Sequence, residues 1–319
     1  MKKKFLALAL AATMAASMTA CGGSSAPAPA TEATTVAATE AKASEETTTE
    51  GAAETETEAV EAKAEITTVT PGKLTVATSP DFAPYEFYAI GEDGTPTLAG
   101  FDMELAKYIA DYLGLELEVV TVDFDGVLSE LQTKSVDLGM AGLSPDPKRE
   151  GIMDFSDLYY MGGQSLVTVK ANADTFNTFE AINKPEVSVG AQIGSIQMDL
   201  ATTNSPDADI VALPKVTDII SELLAGKMDA AYIETDVAKS YQKNYPDLEI
   251  VMDVPYEMEG SSIGVCKGNE ALLAGVNEAI AKALEDGTME KFIAEANELA
   301  SGEKYEGLLD DAGNAQTAN

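Results

Sequence analysis

The sequence predicts an α/β fold in which a second α/β unit is inserted into a first. Strand and helix patterns alternate from residue 71 onward, and the alternation restarts near residue 187. A late apolar run near residue 263 can rejoin the first unit as a strand. The stretch from 71 to 310 holds about 240 residues, enough for two lobes.

The first unit opens with a short strand and continues with a helix whose apolar residues recur at helical spacing. Phe101, Leu105 and Ile109 form that apolar face, and Gly114 ends the helix. The following stretch is rich in Val and Leu, as buried strands are. We predict strands at 73–77, 115–122 and 136–141 and helices at 101–113 and 127–133.

The second unit repeats this pattern and is joined to the first by two crossings. The crossings lie near 160–168 and 258–264 and together predict a two-strand hinge. Ligands of such sheets bind at the carboxyl ends of the strands, facing the cleft. We predict strands at 187–192, 210–212, 230–233, 250–252 and 263–266, and helices at 196–201, 216–225, 235–242, 271–285 and 289–299.

The N-terminus has the pattern of a secretory signal. Three lysines at 2–4 precede an apolar run from 5 to about 16, and small residues lead up to Cys21. The apolar run is too short to span a bilayer. Residues 22–65 contain ten Glu and two Lys and few large apolar side chains. They predict a disordered, acidic tether.

Composition excludes several classes of function. The net charge of −34 disfavours binding to nucleic acid, since phosphates need a basic surface. The chain has no His, which removes the commonest general base and transition-metal ligand, and it lacks nucleotide-binding glycine motifs. We therefore expect no metal and no cofactor. Cys266 lies in an apolar run and is expected to be a buried small residue.

Ten short segments follow one another along the folded part of the chain: 74–87 (LTVATSPDFAPYEF), 100–107 (GFDMELAK), 122–127 (VDFDGV), 137–144 (DLGMAGLS), 147–149 (PKR), 153–157 (MDFSD), 159–160 (YY), 189–195 (VGAQIGS), 226–231 (GKMDAA) and 287–291 (GTMEK). This ordered set resembles the bacterial solute-binding proteins of family 3, which bind polar amino acids for ABC importers. The resemblance implies a two-lobe periplasmic-binding-protein-like fold of type II. The small residues before Cys21 resemble those of bacterial lipoproteins, which implies cleavage there and acylation of Cys21.

The resemblance implies that Arg149 in the first lobe binds the carboxylate of the ligand. A guanidinium suits this role because its planar fork meets a carboxylate through two parallel hydrogen bonds. Gly142 and Ser144 match the loop that reaches the ligand ammonium and carboxylate. Without the resemblance, Arg149 would be taken as a surface charge beside Lys148, and the loop as an ordinary turn.

In the second lobe, Gly194, Ser195 and Ile196 precede a helix whose free N–H groups favour an anion. They would give the carboxylate a second anchor, although Ser195 could equally be a plain helix cap. Glu234 stands where the family usually has Asp as the ammonium partner. Asp236 is the rival for that role, and it could also be a cap.

Phe82 and Phe124 match aromatic positions that pack on the ligand side chain, and core packing is the alternative for each. Ser79 matches a position that often carries Asp in relatives that bind basic or amide side chains. The missing acid predicts a neutral polar or small ligand. Asp81 and Glu86 lie nearby and could restore a preference for cations.

The sequence thus predicts a monomeric, lipid-anchored, extracytoplasmic protein that closes on a free amino acid and delivers it to an ABC permease. The alternatives are a dehydratase-like enzyme on the same fold that acts on cyclic amino-acid precursors, and a sensory or adhesive module. The predicted segments are a signal at 1–20, the lipidated Cys21 and tether at 21–70, lobe 1 at 71–162 and 262–310, lobe 2 at 163–261, and a disordered tail at 311–319.

Overall fold

Two five-stranded sheets and one three-stranded sheet form the framework of the described residues. The computed structural model describes residues 66–91, 94–257 and 260–301. The strands are β1 (Lys73–Thr78), β2 (Asp81–Phe82), β3 (Glu86–Ile90), β4 (Pro96–Ala99), β5 (Glu116–Thr121), β6 (Leu138–Gly139), β7 (Met153–Phe155), β8 (Gln164–Val169), β9 (Ser188–Gln192), β10 (Asp209–Leu213), β11 (Ala230–Glu234), β12 (Leu248–Asp253) and β13 (Gly264–Cys266).

Helices flank these sheets. None of the helices in the described ranges is long and apolar enough to cross a membrane. The helices are α1 (Phe101–Leu113), α2 (Phe124–Thr133), α3 (Phe179–Ile182), α4 (Ile196–Asn204), α5 (Val216–Leu224), α6 (Thr235–Asn244), α7 (Glu270–Glu285) and α8 (Thr288–Ala300).

The two larger sheets have the same design. The first has the order β5-β1-β6-β13-β7, and the second has the order β10-β9-β11-β8-β12. Each contains three parallel strands, then one strand antiparallel to them, and an edge strand that is antiparallel to that fourth strand. Because β13 follows the whole second sheet in the chain and returns to the first, the second unit is inserted in the first. The predicted two-lobe α/β fold is confirmed.

Two crossing segments join the lobes and contact each other. Tyr160 and Ser261 form an isolated antiparallel bridge, and the Ser261 N–H donates to the Tyr160 carbonyl at 2.8 Å. The predicted crossing near 160–168 is too long, because β8 begins at Gln164 as a buried strand of the second sheet. The lobe limits at 71–162, 163–261 and 262–310 stay predictions. The signal, Cys21, the residues of the tether before 66 and the tail at 311–319 lie outside the described residues.

Helix α1 shows how the local sequence sets an element. Phe101, Leu105 and Ile109 are buried on one face, and Asp102 stands in the first turn, where a negative charge is favourable. The helix ends as predicted because Gly114 takes a left-handed conformation, with φ of 70°, and its N–H returns to carbonyls of the last turn.

Two predicted elements and one region required correction. Helix α2 begins at Phe124 and not at 127, because Asp123 is its extended N-cap residue. The strand predicted at 136–141 is reduced to Leu138–Gly139. It is short because β1 and β13 both pair with it over these two residues. The antiparallel sheet β2-β3-β4 was not predicted, since its strands are short and irregularly patterned.

Two carboxyl groups are buried side by side beneath the first lobe's cleft face. Glu86 and Asp102 are both fully buried. The Tyr159 hydroxyl donates to Asp102 at 2.7 Å, and the Gly142 N–H donates to it at 3.2 Å. Burial, together with the neighbouring Asp102, raises the pKa of Glu86 well above its usual value. Burial also raises the pKa of Asp102 to about 6.

These raised pKa values predict that acidification stabilises the fold. From about pH 4 upward the folded state keeps protons that the unfolded state releases, up to about pH 6 for Asp102 and to higher pH for Glu86, so stability falls as pH rises through this range. The melting temperature should be higher at about pH 5.5 than at about pH 7.5. Glu86→Gln should reduce this difference, because the amide cannot titrate. An equal pH dependence in both proteins would contradict this origin.

Candidate functional site

A small cavity lies where elements of both lobes converge. Gly142 follows β6, and Gln192 ends β9, so both lie at carboxyl ends of parallel strands. That is where ligands bind in open α/β sheets. The lining residues are Phe82, Phe124, Ala141, Gly142, Ser144, Arg149, Gln192, Ile196 and Gln197.

Arg149 is a buried cation in the wall of this cavity. Only 7 % of its surface is exposed. It ends a short helical turn, Pro147–Arg149, whose N-cap Asp146 accepts from the Lys148 N–H. Its Nη2 donates to the Gly194 carbonyl at 2.9 Å, and its Nη1 donates to the Ser144 carbonyl at 3.5 Å. Burial lowers the pKa of Arg149 from its usual value, an effect that Asp146 opposes.

The charge of Arg149 is incompletely matched by its surroundings. Within the described residues, Asp146 is the carboxylate in ion-pair range, 3.9 Å from Nε. The guanidinium carries five N–H donors, and its two hydrogen bonds to carbonyls use part of them. Its carbon lies 5.7 Å from the Phe124 ring centroid, a cation–π contact. The guanidinium therefore has both unused donors and unmatched positive charge with which to bind an anion.

The loop at Gly142 shapes the floor of the cavity. Gly142 has φ of +56°, and a Cβ there would lie 2.7 Å from Cε1 of Phe82. Both the conformation and the close ring require glycine. Its N–H is fixed by Asp102. The next polar group, the Ser144 hydroxyl, contacts the Tyr256 hydroxyl at 3.1 Å.

Two glutamines of the second lobe line the cavity and have their amide nitrogens engaged elsewhere. The Gln192 Nε2 donates to the Asp81 carboxylate at 3.2 Å and to the Pro214 carbonyl at 3.1 Å. The Gln197 Nε2 donates to the Gln164 Oε1 at 2.8 Å. Among the described residues, nothing donates to the Oε1 atoms of Gln192 and Gln197. They are acceptors that a ligand could use.

The start of α4 is capped by its own residues. The Ser195 hydroxyl accepts from the Met198 N–H at 3.2 Å and donates to the Gln192 carbonyl at 2.7 Å. Ser195 is thus an N-cap. Gly194 presents its carbonyl to Arg149, and Ile196 lines the cavity. To bind both Arg149 and the N–H groups at the start of α4, a ligand carboxylate would have to displace the Gly194 carbonyl from Arg149.

Glu234 and Asp236 flank the start of α6. The Glu234 Oε2 accepts from the Val237 N–H at 2.7 Å, while its Oε1 has a long contact of 3.4 Å with the Gly163 N–H. Burial raises the pKa of Glu234 to about 7. Asp236 is engaged by the Tyr160 hydroxyl at 2.7 Å and by Lys239 at 2.8 Å.

The structure brings together six of the ten predicted ligand-binding residues: Phe82, Phe124, Gly142, Ser144, Arg149 and Ile196. Gly194 touches the site through its carbonyl. Ser79 lies aside, donating to Asp81 at 2.7 Å, and Ser195 and Glu234 are caps. Sequence reasoning missed Ala141, Gln192 and Gln197 as lining residues. The signal that could have found them was their position in the chain. Ala141 follows β6, Gln192 ends β9, and Gln197 lies in the first turn of α4, which follows a strand.

Two α/β lobes with a buried cation between them have the architecture of two-lobe solute-binding proteins. The chain belongs to the bacterial extracellular solute-binding proteins, family 3, whose profile matches residues 74–296.

Similar proteins with known ligands span the same part of the chain. The arginine-binding extracellular protein ArtP of Bacillus subtilis is 34% identical over 223 residues, which cover 69% of this chain and 84% of ArtP. The amino acid ABC transporter substrate-binding protein AbpA of Streptococcus pneumoniae, bound to L-arginine, is 34% identical with a TM-score of 0.70, covering 73% of this chain and 97% of AbpA. An ancestral arginine-binding protein bound to glutamine is 32% identical with a TM-score of 0.65, covering 71% of this chain and 98% of its own.

Replacement of Gly142 by alanine tests the packing of the cavity floor. The matched control is Gly114→Ala, which has φ of +70° but open space around a Cβ. The control should lower the free energy of unfolding by about 1–2 kcal/mol. Gly142→Ala should lose about 1–3 kcal/mol more, because the methyl group meets the Phe82 ring. Equal losses in urea unfolding would contradict the close packing.

Proposed function

We propose that this protein is a monomer that captures a free L-α-amino acid between its lobes and delivers it to the permease of an ABC importer. The single observation that carries the proposal is the buried guanidinium of Arg149 in an interlobe cavity. A buried charge without a full complement of partners is costly. A ligand carboxylate would supply the missing anion through two parallel hydrogen bonds.

We propose Glu234 as the partner of the ligand ammonium group. The Glu234 Oε1 accepts a long hydrogen bond from the Gly163 N–H at 3.4 Å, whereas each carboxylate oxygen of Asp236 has a shorter partner. The Glu234 Oε1 and the Tyr85 hydroxyl both lie beside Gly162, since each would be 2.8 Å from a Cβ at that position. Reaching the ligand requires Glu234 to turn from its capping position. An adjacent ammonium would then favour its charged form.

The side chain of the ligand is proposed to be neutral and polar. Phe82 and Phe124 offer aromatic surfaces, and Gln192 and Gln197 offer acceptor oxygens, so a side-chain amide would be matched by both. Arg149 is the charged residue among those that line the cavity. Asp81 does not restore a cationic preference in this proposal, since three neutral donors already engage its carboxylate.

Binding without chemical conversion is the proposed activity. A dehydratase would need a carboxylate placed against the substrate as acid or base. The residues that line the described cavity provide Arg149, amides, a hydroxyl and apolar surface. Glu234, the acid proposed to reach the ligand, would be paired with the ligand ammonium group and so would not serve as acid or base. We therefore favour capture by closure, in which contacts made only in the closed form shift the population of the protein toward it.

Export and lipid anchoring complete the proposal. The basic start, the apolar run and the small residues before Cys21 support cleavage at that point and acylation of the cysteine. More than one acyl chain is needed to hold a protein stably on a membrane. The acidic stretch that follows would separate the lobes from the lipid headgroups.

Arg149→Ala and Glu234→Gln should both weaken amino-acid binding, measured by isothermal titration calorimetry. Loss of the buried cation should cost at least about thirtyfold in affinity. Lys148→Ala and Asp236→Asn are the matched controls. Lys148 makes an exposed ion pair with Asp199 at 2.7 Å, which contributes little. Unchanged affinity in Arg149→Ala would overturn the proposed site.

Titration with L-glutamine and L-arginine tests the ligand class. We expect L-glutamine to bind more tightly, because its amide matches the acceptors of Gln192 and Gln197 without bringing a second cation toward Arg149. Mass spectrometry of the small molecule that co-purifies with the protein provides an independent reading. Tighter binding of L-arginine would show that the neutral preference is wrong.

Cys21→Ser tests the anchor. The substituted protein should move from the membrane fraction to the soluble fraction of cells, since a serine cannot carry the thioether-linked lipid. Cys266→Ser is the control, because Cys266 is a buried free cysteine of the folded part. A Cys21→Ser protein that stays with the membrane would exclude this anchor.

A further inference from the structure

Asp81 is a buried carboxylate that belongs to the first lobe but is engaged mainly by the second. It is 6 % exposed. Within its own lobe it accepts from the Ser79 hydroxyl. From the other lobe, the Gln192 amide and the Val216 N–H donate to its Oδ2, and the Tyr241 hydroxyl donates to its backbone carbonyl at 3.0 Å. No other acid of the cavity region is shared between the lobes in this way among the described residues.

The Val216 N–H is the first of helix α5 and, within the described ranges, its acceptor is Asp81 of the other lobe. The N-cap residue of α5 is Lys215, whose side chain makes no capping hydrogen bond. The first N–H groups of a helix need partners, and a carboxylate at a helix N-terminus is favourable. Val216 is itself buried. Asp81 therefore caps α5 from across the cleft.

We propose that Asp81 is a latch between the lobes. By capping α5 it stabilises the closed arrangement, and by holding the Gln192 amide nitrogen it fixes the residue that presents an acceptor to the ligand. Asp81 is a positioning residue in this account, since it acts through Gln192 and α5 without touching the cavity. This inference deepens the proposed function and rests on it where ligand affinity is concerned.

Asp81 favours closure mainly because it satisfies the donors that closure buries, and not because its own burial is favourable. When the lobes are apart, water can satisfy the Val216 N–H and the Gln192 amide. When they are together, these groups are buried, and a donor without an acceptor carries a penalty. Burial of Asp81 itself opposes closure, as the rise of its pKa to about 6 indicates. Removing the acceptor should nevertheless favour the open form, because several donors would lose their partner at once.

A second contact between the same segments supplies a matched control. Asp123 forms an exposed interlobe ion pair at 3.7 Å with Lys215, the residue that precedes Val216. Exposed ion pairs contribute little to stability. Asp123→Ala therefore removes an interlobe acid of similar position without removing a buried hydrogen bond.

The donor can also be removed from the opposite side. Val216→Pro deletes the N–H while keeping Asp81, and proline is tolerated at the first position of a helix. Lys215 already has the extended conformation that a residue before proline requires, with φ of −125° and ψ of 141°. This variant separates the latch from any effect of Asp81 on folding.

The test compares Asp81→Ala, Val216→Pro, the double variant and Asp123→Ala. Small-angle X-ray scattering without added amino acid should show a larger radius of gyration for the first three than for the wild type. L-glutamine affinity should fall about tenfold in each single variant. The double variant should lose little more than either single one, because both remove the same hydrogen bond. Asp123→Ala should resemble the wild type.

Two results would overturn the latch: wild-type scattering and affinity in Asp81→Ala, or full additivity of the two substitutions. Because the scattering needs no ligand, it decides on the latch even if the proposed amino-acid ligand is wrong. Conversely, a wild-type protein that binds L-glutamine supports the proposed function even if Asp81→Ala has no effect.

Discussion

The organisation of the site depends on a buried guanidinium whose charge is only partly matched by the protein. Arg149 reaches carbonyls of both lobes, Ser144 in the first and Gly194 in the second, but its carboxylate neighbour Asp146 lies at the edge of ion-pair range. Carbonyl dipoles satisfy some donors without neutralising the charge. An anion that enters between the lobes would resolve this imbalance, and we propose that this anion is the carboxylate of the bound amino acid.

The other features of the cleft follow from the need to surround that anion from two sides. Strand ends of both sheets converge there, so each lobe contributes part of the wall. Each lobe also contributes a buried acid: Asp81 of the first lobe accepts from neutral donors of the second, and Glu234 of the second lobe caps α6. Buried acids of this kind are costly unless hydrogen-bonded. Closure of the lobes, ligand contact and the protonation of these groups are therefore linked.

The sequence predicted most of the fold because the long elements have strong periodicity and clear ends, as α1 has with Gly114. It did not predict β2, β3 and β4, because these short strands are defined by their pairing partners and not by a regular pattern of apolar residues in the sequence. In the site, a family motif located Arg149. Gln192 was missed because a glutamine at a strand end has no pattern of its own. The role of Asp81 could not be predicted, since its partners lie 111 and 135 residues away in the chain.

The most direct test of the central claim is a crystal structure of the protein with bound L-glutamine. We predict that the α-carboxylate lies between the lobes and accepts two hydrogen bonds from the Arg149 guanidinium, which has released the Gly194 carbonyl. A bound amino acid with its carboxylate elsewhere, or an Arg149 that still donates only to the carbonyls of Ser144 and Gly194, would contradict it.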